Sequence, residues 1–285
     1  ELPVMIILSG RSRIAKWSDD PRVKTINLRP LPSADSKRIV SELLSQQILH
    51  QVDENVLLER AEGNPLFLEE LSFLFAEKHD AQHGQPADPK DGANENVIPS
   101  TIEQIALNRI GVTTDNVRRA LEAAAVAGRQ FSLAVLELVL DGDEIVQQAR
   151  EVLVSRNIWQ ELHGETYQFR HALIHEAIYN SILRARRQTI HLEVARALEK
   201  NLAGRRFEHS ELLAHQYLEA KAPKNALIYF AAAGRRALHI YAIDDAFHNL
   251  NEAEKIVAVS PREIDQDIIY DVTLDLSQTL YHRGQ

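Results

Sequence analysis

The spacing of hydrophobic residues changes from a strand pattern to a helical pattern near residue 32. Residues 3–8 form a continuous apolar run, as in strands that a parallel sheet buries on both faces, and residues 23–28 alternate weakly. From Ser33, a candidate N-cap, apolar positions follow a helical spacing. The pattern therefore predicts that residues 1–31 are a short remnant of a parallel α/β sheet and that helices follow.

Two further helix boundaries fall within residues 32–79. Asp53 is a candidate cap for a helix that ends at Gly63, and Asn64-Pro65 opens the next helix with a capping side chain and a proline in the first turn. Residues 80–98, by contrast, contain almost no large apolar side chain and cannot offset the entropy of ordering. We predict that this stretch is a flexible linker.

Residues 99–186 combine helical and strand patterns. Two alternating runs, residues 158–162 and 166–169, are separated by His163-Gly-Glu165 and predict a β-hairpin. Helices followed by a hairpin indicate a winged-helix domain. The helices predicted before the hairpin are residues 101–110, 116–127, 131–140 and 144–156.

The remaining residues, 187–285, are almost entirely helical in pattern, with connectors of a few residues that imply antiparallel neighbours. Small and apolar residues recur with the spacing of a tetratricopeptide repeat, in which small side chains let two helices approach closely. We predict a mainly α-helical fold that ends in a tetratricopeptide-like α-solenoid continuing past Gln285. The residues with this spacing are Phe230, Gly234, Ala246, Leu250 and Ala253.

The amino-acid composition excludes several classes of protein and of binding site. The chain has 11 Gly and 10 Pro in 285 residues, and neither a G-x-x-x-x-G-K-[ST] nor a G-x-G-x-x-G motif occurs, so a complete nucleotide-binding enzyme is not expected. The absence of Cys excludes disulfides and thiolate metal sites and fits a reducing cytoplasm. No apolar run approaches the roughly 18 residues of a membrane span. The net charge of -9 disfavours nucleic-acid binding over the whole surface.

The order of landmarks resembles the signal-transduction ATPases with numerous domains, called STAND, an AAA+-like class. The landmarks are a strand ending at Ser9-Gly10-Arg11, a helical unit with Gly63-Asn64-Pro65-Leu66, a winged helix, Phe169-Arg170-His171 and then helical repeats. The resemblance is to the bacterial branch attached to adenylate cyclases and LuxR-type transcription regulators. It covers nearly the whole chain as the C-terminal part of such a protein, which implies that the Walker A and Walker B strands lie upstream of Glu1.

The resemblance implies ATP or ADP as the bound nucleotide, with Mg²⁺ held by the upstream residues. Arg11, or its neighbour Arg13, would act as sensor 1 at the γ-phosphate, since a guanidinium binds phosphate oxygens bidentately. Residues 32–79 would be the helical lid, in which Gly63 and Pro65 form the GxP motif whose proline packs on adenine. His171 would contact the β-phosphate of ADP. A structural interpretation stays open for each residue: an exposed loop arginine, a helix cap with its N-terminal proline, and a helix-start histidine.

Two other groups of residues have the composition of possible binding sites. His171, His175 and Tyr179 share one helix face, but no third metal ligand and no HExxH motif accompany them, so no metal site is predicted. A locally basic segment either contacts phosphate or nucleic acid or forms a solvated helix face with Glu193 and Glu199. Its cationic residues are Arg184, Arg186, Arg187, His191, Arg196, Arg205 and Arg206.

We therefore expect the regulatory portion of a cytoplasmic, nucleotide-dependent signalling ATPase. The chain alone is not expected to catalyse hydrolysis, because it lacks the Walker lysine and the Mg²⁺-binding aspartate. A protein or small-molecule signal would bind the repeats, and the effector domain, such as a cyclase, would lie elsewhere in the parent chain. The alternative is a nucleotide-independent helical scaffold or a winged-helix DNA-binding regulator.

Overall fold

A computed structural model describes residues 23–44, 54–83, 101–111, 113–259 and 264–284, together with Met5, Ile7 and Gly10. Contacts within the chain divide it into two units, Glu1–Ser72 and Phe73–Gln285. The described residues are mainly helical, and the second unit contains a three-stranded antiparallel sheet. The prediction of a mainly helical chain is therefore confirmed.

The first unit is built from helices that begin and end close to the predicted positions. Helix α1 spans Ser33–Leu43, α2 spans Glu54–Ala61 and contacts α1, and α3 spans Pro65–His83. Val40 on α1 and Leu57 on α2 are fully buried. Ser33 is the first helical residue, since Pro32 occupies the N-cap position. Asp53, the predicted cap of α2, lies outside the described residues.

The predicted strand over residues 23–28 is wrong. Residues 23–32 adopt no helix or strand, and Leu28 is 95% exposed. A strand needs a neighbour to satisfy its backbone groups and cover its apolar face, and the described residues provide none here. Most of the other predicted strand, residues 3–8, lies outside the described residues, although Met5 and Ile7 are exposed and outside regular structure.

Helix α3 includes the first four residues of the predicted linker. Helix α3 continues through residues 80–83, because Ala76, Glu77 and Lys78 are strong helix formers and extending an existing helix costs little. The rest of the predicted linker, residues 84–98, lies outside the described residues.

The second unit begins with helices around a small sheet. Strand β3 lies between β1 and β2, and the β2–β3 hairpin confirms the prediction from His163-Gly-Glu165, with Trp159 opposite Phe169. Strand β1 was not predicted, and the helix expected from residue 131 begins only at Leu133. The elements are α4 (Ile102–Gly111), α5 (Asp115–Ala127), β1 (Gln130–Ser132), α6 (Leu133–Leu140), α7 (Asp143–Ser155), β2 (Trp159–His163), β3 (Thr166–Phe169) and α8 (Ala172–Ser181).

Aromatic rings fill the core beneath this sheet. Phe131 and Trp159 lie with ring centroids 4.8 Å apart, and Trp159 meets Phe169 edge-on at 6.4 Å. The alanine-rich end of α5, residues 123–126, is buried in the same core cluster as these rings. Burial of these rings explains why so short a sheet is held in place.

Consecutive helices in contact make up the rest of the unit. The close approach expected at Gly234 is present, because a Cβ added there would lie 2.5 Å from Leu250 Cγ. Helix α9 crosses the predicted boundary at residue 186 and packs on α5, α6 and α10. The elements are α9 (Arg184–Leu202), a 3₁₀ helix (Ala203–His209), α10 (Ser210–Glu219), α11 (Pro223–His239), α12 (Ile243–Val259) and α13 (Gln266–Arg283).

The length and hydropathy of a helix determine whether it can span a membrane. Within the described ranges, no helix is both long enough and apolar enough to cross a lipid bilayer.

Candidate functional site

The first predicted site residue, Arg11, lies outside the described residues, as does its substitute Arg13. Their preceding neighbour Gly10 is exposed. Sensor 1 therefore stays a prediction from the sequence.

The Gly63-Asn64-Pro65 motif has the local geometry that its residue types predict. Helix α2 ends in the left-handed conformation at Glu62 and Gly63, with φ values of 49° and 72°. Asn64 Oδ1 then accepts hydrogen bonds from the backbone N–H groups of Leu66 and Phe67 at 3.1 and 3.4 Å. Asn64 thus caps α3 and fixes the position of Pro65 at its first turn.

The two predicted nucleotide contacts of this motif face different surroundings. A Cβ on Gly63 would lie 2.6 Å from the carbonyl oxygen of Leu31 and 2.9 Å from its nitrogen, so the chain's own backbone occupies that face. The Leu31 N–H also donates to the Gly63 carbonyl at 2.8 Å. Pro65 is exposed, whereas Phe67 is buried in the core. Gly63 therefore serves packing, and Pro65 presents its ring to the surface.

His171 is the N-cap residue of α8 and is half-buried. It has an extended backbone, with φ of -125° and ψ of 136°, and its side chain makes no capping hydrogen bond to α8. Arg170 fixes the hairpin just before it, because its N–H donates to the Ile158 carbonyl and its guanidinium donates to Asn157 Oδ1 at 3.1 Å. His171 thus lies where strand β3 leads into a helix N-terminus, a position that favours anions.

The other members of the predicted histidine stripe bind within the protein. His175 Nε2 lies 2.8 Å from the carbonyl oxygen of Ala125, and the Tyr179 hydroxyl lies 3.0 Å from His191 Nε2. Among the described residues, no group of three His, Asp or Glu side chains is placed to hold a metal ion. His175 and Tyr179 instead connect α8 to α5 and α9.

A buried chain of polar side chains continues from Tyr179 and was not predicted. Gln216 Nε2 donates to the Val126 carbonyl at 3.1 Å, so Gln216 Oε1 accepts from His191 Nδ1 at 2.8 Å. The Tyr179 hydroxyl lies 3.0 Å from His191 Nε2, which accepts from that hydroxyl when the ring is neutral and carries its proton on Nδ1. Burial lowers the pKa of His191, which favours the neutral ring and outweighs the hydrogen bond that His191 donates to Gln216, which raises the pKa. This polar relay, Tyr179–His191–Gln216, joins helices α8, α9 and α10 to the end of α5.

A sequence signal for the relay does exist. His191 and Gln216 are polar residues on otherwise apolar helix stripes, beside Val194 and Leu213 respectively. Partners up to 90 residues apart in the chain supply their hydrogen bonds, which no local pattern identifies.

The basic segment is used in part for internal contacts. Arg186 lies 3.6 Å from Glu122 on α5, and Arg187 donates to the Tyr179 carbonyl at 3.2 Å while its guanidinium lies 4.5 Å over the Tyr179 ring. Glu199, an expected ion-pair partner, instead accepts a 2.5 Å hydrogen bond from the Tyr229 hydroxyl. These two arginines therefore help to hold α9 against α5 and α8.

Comparison with known proteins adds one weak likeness. No family model matches the chain. A protein of Rhizobium meliloti (strain 1021) described as uncharacterized is 27% identical over 265 residues, which covers 89% of this chain and 25% of that relative. The chain thus spans about a quarter of the length of the relative it matches.

Proposed function

We propose that this chain is the regulatory portion of a STAND-type signalling ATPase, coupling nucleotide state and partner binding to an effector domain outside the chain. The observation that carries the proposal is the position of His171. It directly follows the hairpin, begins helix α8, and leaves its side chain out of the helix cap. A histidine at a helix N-terminus is suited to a phosphate, because ring N–H and helix dipole both favour an anion.

The order of elements in the second unit supports a winged-helix assignment for residues 99–186. Helix α5 is followed by the short strand β1, helices α6 and α7, and the β2–β3 hairpin, with β3 central in the sheet. This is the element order of a winged helix. The consecutive helix pairs of residues 187–285, with the close approach at Gly234, likewise support a tetratricopeptide-like solenoid.

The three described candidate residues differ in how directly they could contact a nucleotide. Pro65 is exposed at the start of α3 and would pack its ring on adenine, whereas Gly63 already lies against Leu31 and would act only by holding the turn. His171 would donate a hydrogen bond to a phosphate oxygen. Bound nucleotide supplies the charge that distinguishes the ADP state from the ATP state, and the residues of this chain bind and orient it without breaking a bond.

The distribution of charge on α7 argues against the DNA-binding alternative. In a helix-turn-helix arrangement the second helix reads the major groove, and α7 holds that position here. It carries the carboxylates Asp143, Glu144 and Glu151 against the single cation Arg150. Such a helix would be repelled by phosphate, which leaves a regulatory role within the protein as the better proposal.

Direct binding measurements test the proposal. The chain is titrated with ADP by calorimetry, beside the variant His171→Ala and the control His163→Ala, an exposed histidine on β2. We expect weak, millimolar binding that His171→Ala abolishes and His163→Ala leaves unchanged. Equal ADP binding by all three proteins, or salt-sensitive DNA binding with none to ADP, would reject the proposal.

A further inference from the structure

A cavity of about 320 Å³ opens where the start of α10 meets the end of α11 and the start of α12. Small side chains create this space, because Ala233 and Ala237 on α11 and Ala242 before α12 line it where longer residues would fill it. Its volume lies at the lower end of ligand pockets, about 300–1,000 Å³. We call it the α10–α12 groove.

One buried side-chain oxygen in the groove lacks a hydrogen-bond partner among the described residues. Asn249 is 2% exposed, and its Nδ2 donates to the Asp245 carbonyl at 2.9 Å, which fixes the orientation of the amide. Its Oδ1 is buried and has no partner among the described residues. A buried acceptor without a donor is costly, and most buried polar atoms in native proteins have a hydrogen-bond partner. Asn249 therefore points to an occupant that brings an N–H group.

The charge of the groove selects a cationic occupant. Glu208, Glu211 and Asp245 line it, against the single guanidinium of Arg236. Arg236 is itself occupied, because it donates to the backbone carbonyl of Glu208. The carboxylates are exposed at the mouth, where they can attract a lysine or arginine without being desolvated.

Apolar side chains flank these carboxylates. Ile240 is 71% exposed, and Leu212 is partly exposed on the opposite wall. A small polyamine would leave both uncovered, whereas a peptide can present an apolar side chain beside a basic one. The combination of an N–H acceptor, acidic groups and an apolar rim is complementary to a peptide backbone with mixed side chains.

We propose that the α10–α12 groove binds a basic, partly apolar segment of a partner protein. Asn249 Oδ1 accepts a backbone N–H of that segment, the carboxylates attract its lysine or arginine, and Ile240 and Leu212 pack on its apolar side chain. This names the partner chemistry for the signal-binding part of the proposed function. It is independent of nucleotide, so either proposal can fail without the other.

Fluorescence anisotropy with a labelled, capped peptide of alternating lysine and leucine tests this site, in low salt and without nucleotide. The variant Asn249→Leu removes the acceptor, and Glu211→Gln with Asp245→Asn removes two carboxylates. Glu254→Gln on the outer part of α12 is the matched control, because it removes a charge outside the groove. Each groove variant should weaken binding by about tenfold, while the control leaves it unchanged.

A stability measurement separates binding from structure. Because Asn249 Oδ1 is buried without a donor, Asn249→Leu should keep or raise the melting temperature while it weakens peptide binding. The proposal is overturned if the lysine–leucine peptide does not bind, if a glutamate–leucine peptide or spermidine binds as tightly, or if the groove variants bind like the control.

Discussion

The turn at Gly63 provides a direct test of how the first unit is held together. Gly63→Ala places a methyl group 2.6 Å from the Leu31 carbonyl oxygen, far inside van der Waals contact, in a residue with φ of 72°. Backbone atoms cannot rotate away as a side chain end can, so residues 30 and 31 must move. That movement breaks the hydrogen bond from the Leu31 N–H to the Gly63 carbonyl.

The expected cost follows from these contacts. Left-handed backbone costs an alanine roughly 1–2 kcal/mol, and the lost hydrogen bond adds roughly 0.5–1.5 kcal/mol. The smaller entropy of the unfolded alanine chain returns roughly 0.4–1 kcal/mol. The net loss is about 2 kcal/mol, or about a 30-fold change in an opening equilibrium. Gly164 is the matched control, because its φ is also positive, at 56°, but nothing lies within 4 Å of an added Cβ.

Hydrogen exchange read by mass spectrometry measures this opening locally in each unit. Peptides that cover residues 30–44 and 54–72 should exchange about 30-fold faster in Gly63→Ala. Gly164→Ala carries only the left-handed cost less the entropy gain, so its hairpin peptides should exchange only about fourfold faster. Equal acceleration by the two substitutions would refute the close approach to Leu31 as the reason for glycine.

Three further predictions concern the second unit, and chemical unfolding tests each. Gly234→Ala should lower the free energy of unfolding by about 1–2 kcal/mol, because overpacking against the facing leucine exceeds the gain in helix propensity. Gly111→Ala, with open space around the added methyl group, should not lower it. Equal stability of the two variants would contradict the close helix contact at Gly234. The pKa of His191 is lower in the folded state than in the unfolded state, so the unfolded state takes up a proton at higher pH. The free energy of unfolding should therefore fall as the pH drops below about 6.5 toward the pKa of the folded state. His191→Gln should flatten this pH dependence, and an unchanged pH dependence would exclude the relay as its source. Burial and Glu199 raise the pKa of Tyr229 to about 12, and its hydroxyl donates a 2.5 Å hydrogen bond to Glu199. Tyr229→Phe removes this bond and should lower the free energy of unfolding by about 2 kcal/mol. An unchanged free energy of unfolding would show that the bond adds no net stability.

Local chemistry accounts for the elements that the sequence predicts well. Asn64 and Pro65 define a helix start through groups only two or three residues away, and Gly164 marks a hairpin turn between two alternating runs. Such helix starts and turns depend on hydrogen bonds between residues a few positions apart, so the local amino-acid sequence is sufficient to predict them.

Features that depend on distant partners escaped prediction. Strand β1 is three residues long and exists because Phe131 pairs with Tyr167, too short a segment to show a period. Residues 23–28 alternate like a strand but have no neighbouring strand among the described residues. The polar relay and the unpartnered buried acceptor of Asn249 arise where separate helices meet, so a polar residue on an apolar stripe is their only local sign.

The most direct test of the proposed function locates the nucleotide contact on the molecule. Histidine ring resonances of the chain are recorded by NMR while ADP, and in a parallel sample AMP, is added to millimolar concentration, with assignments from His171→Ala. We predict that ADP shifts the His171 resonance, that AMP shifts it much less because it lacks the β-phosphate, and that exposed His163 does not respond. Unchanged His171 with ADP, or equal shifts at both histidines, would contradict the assignment of His171 as the nucleotide-sensing residue.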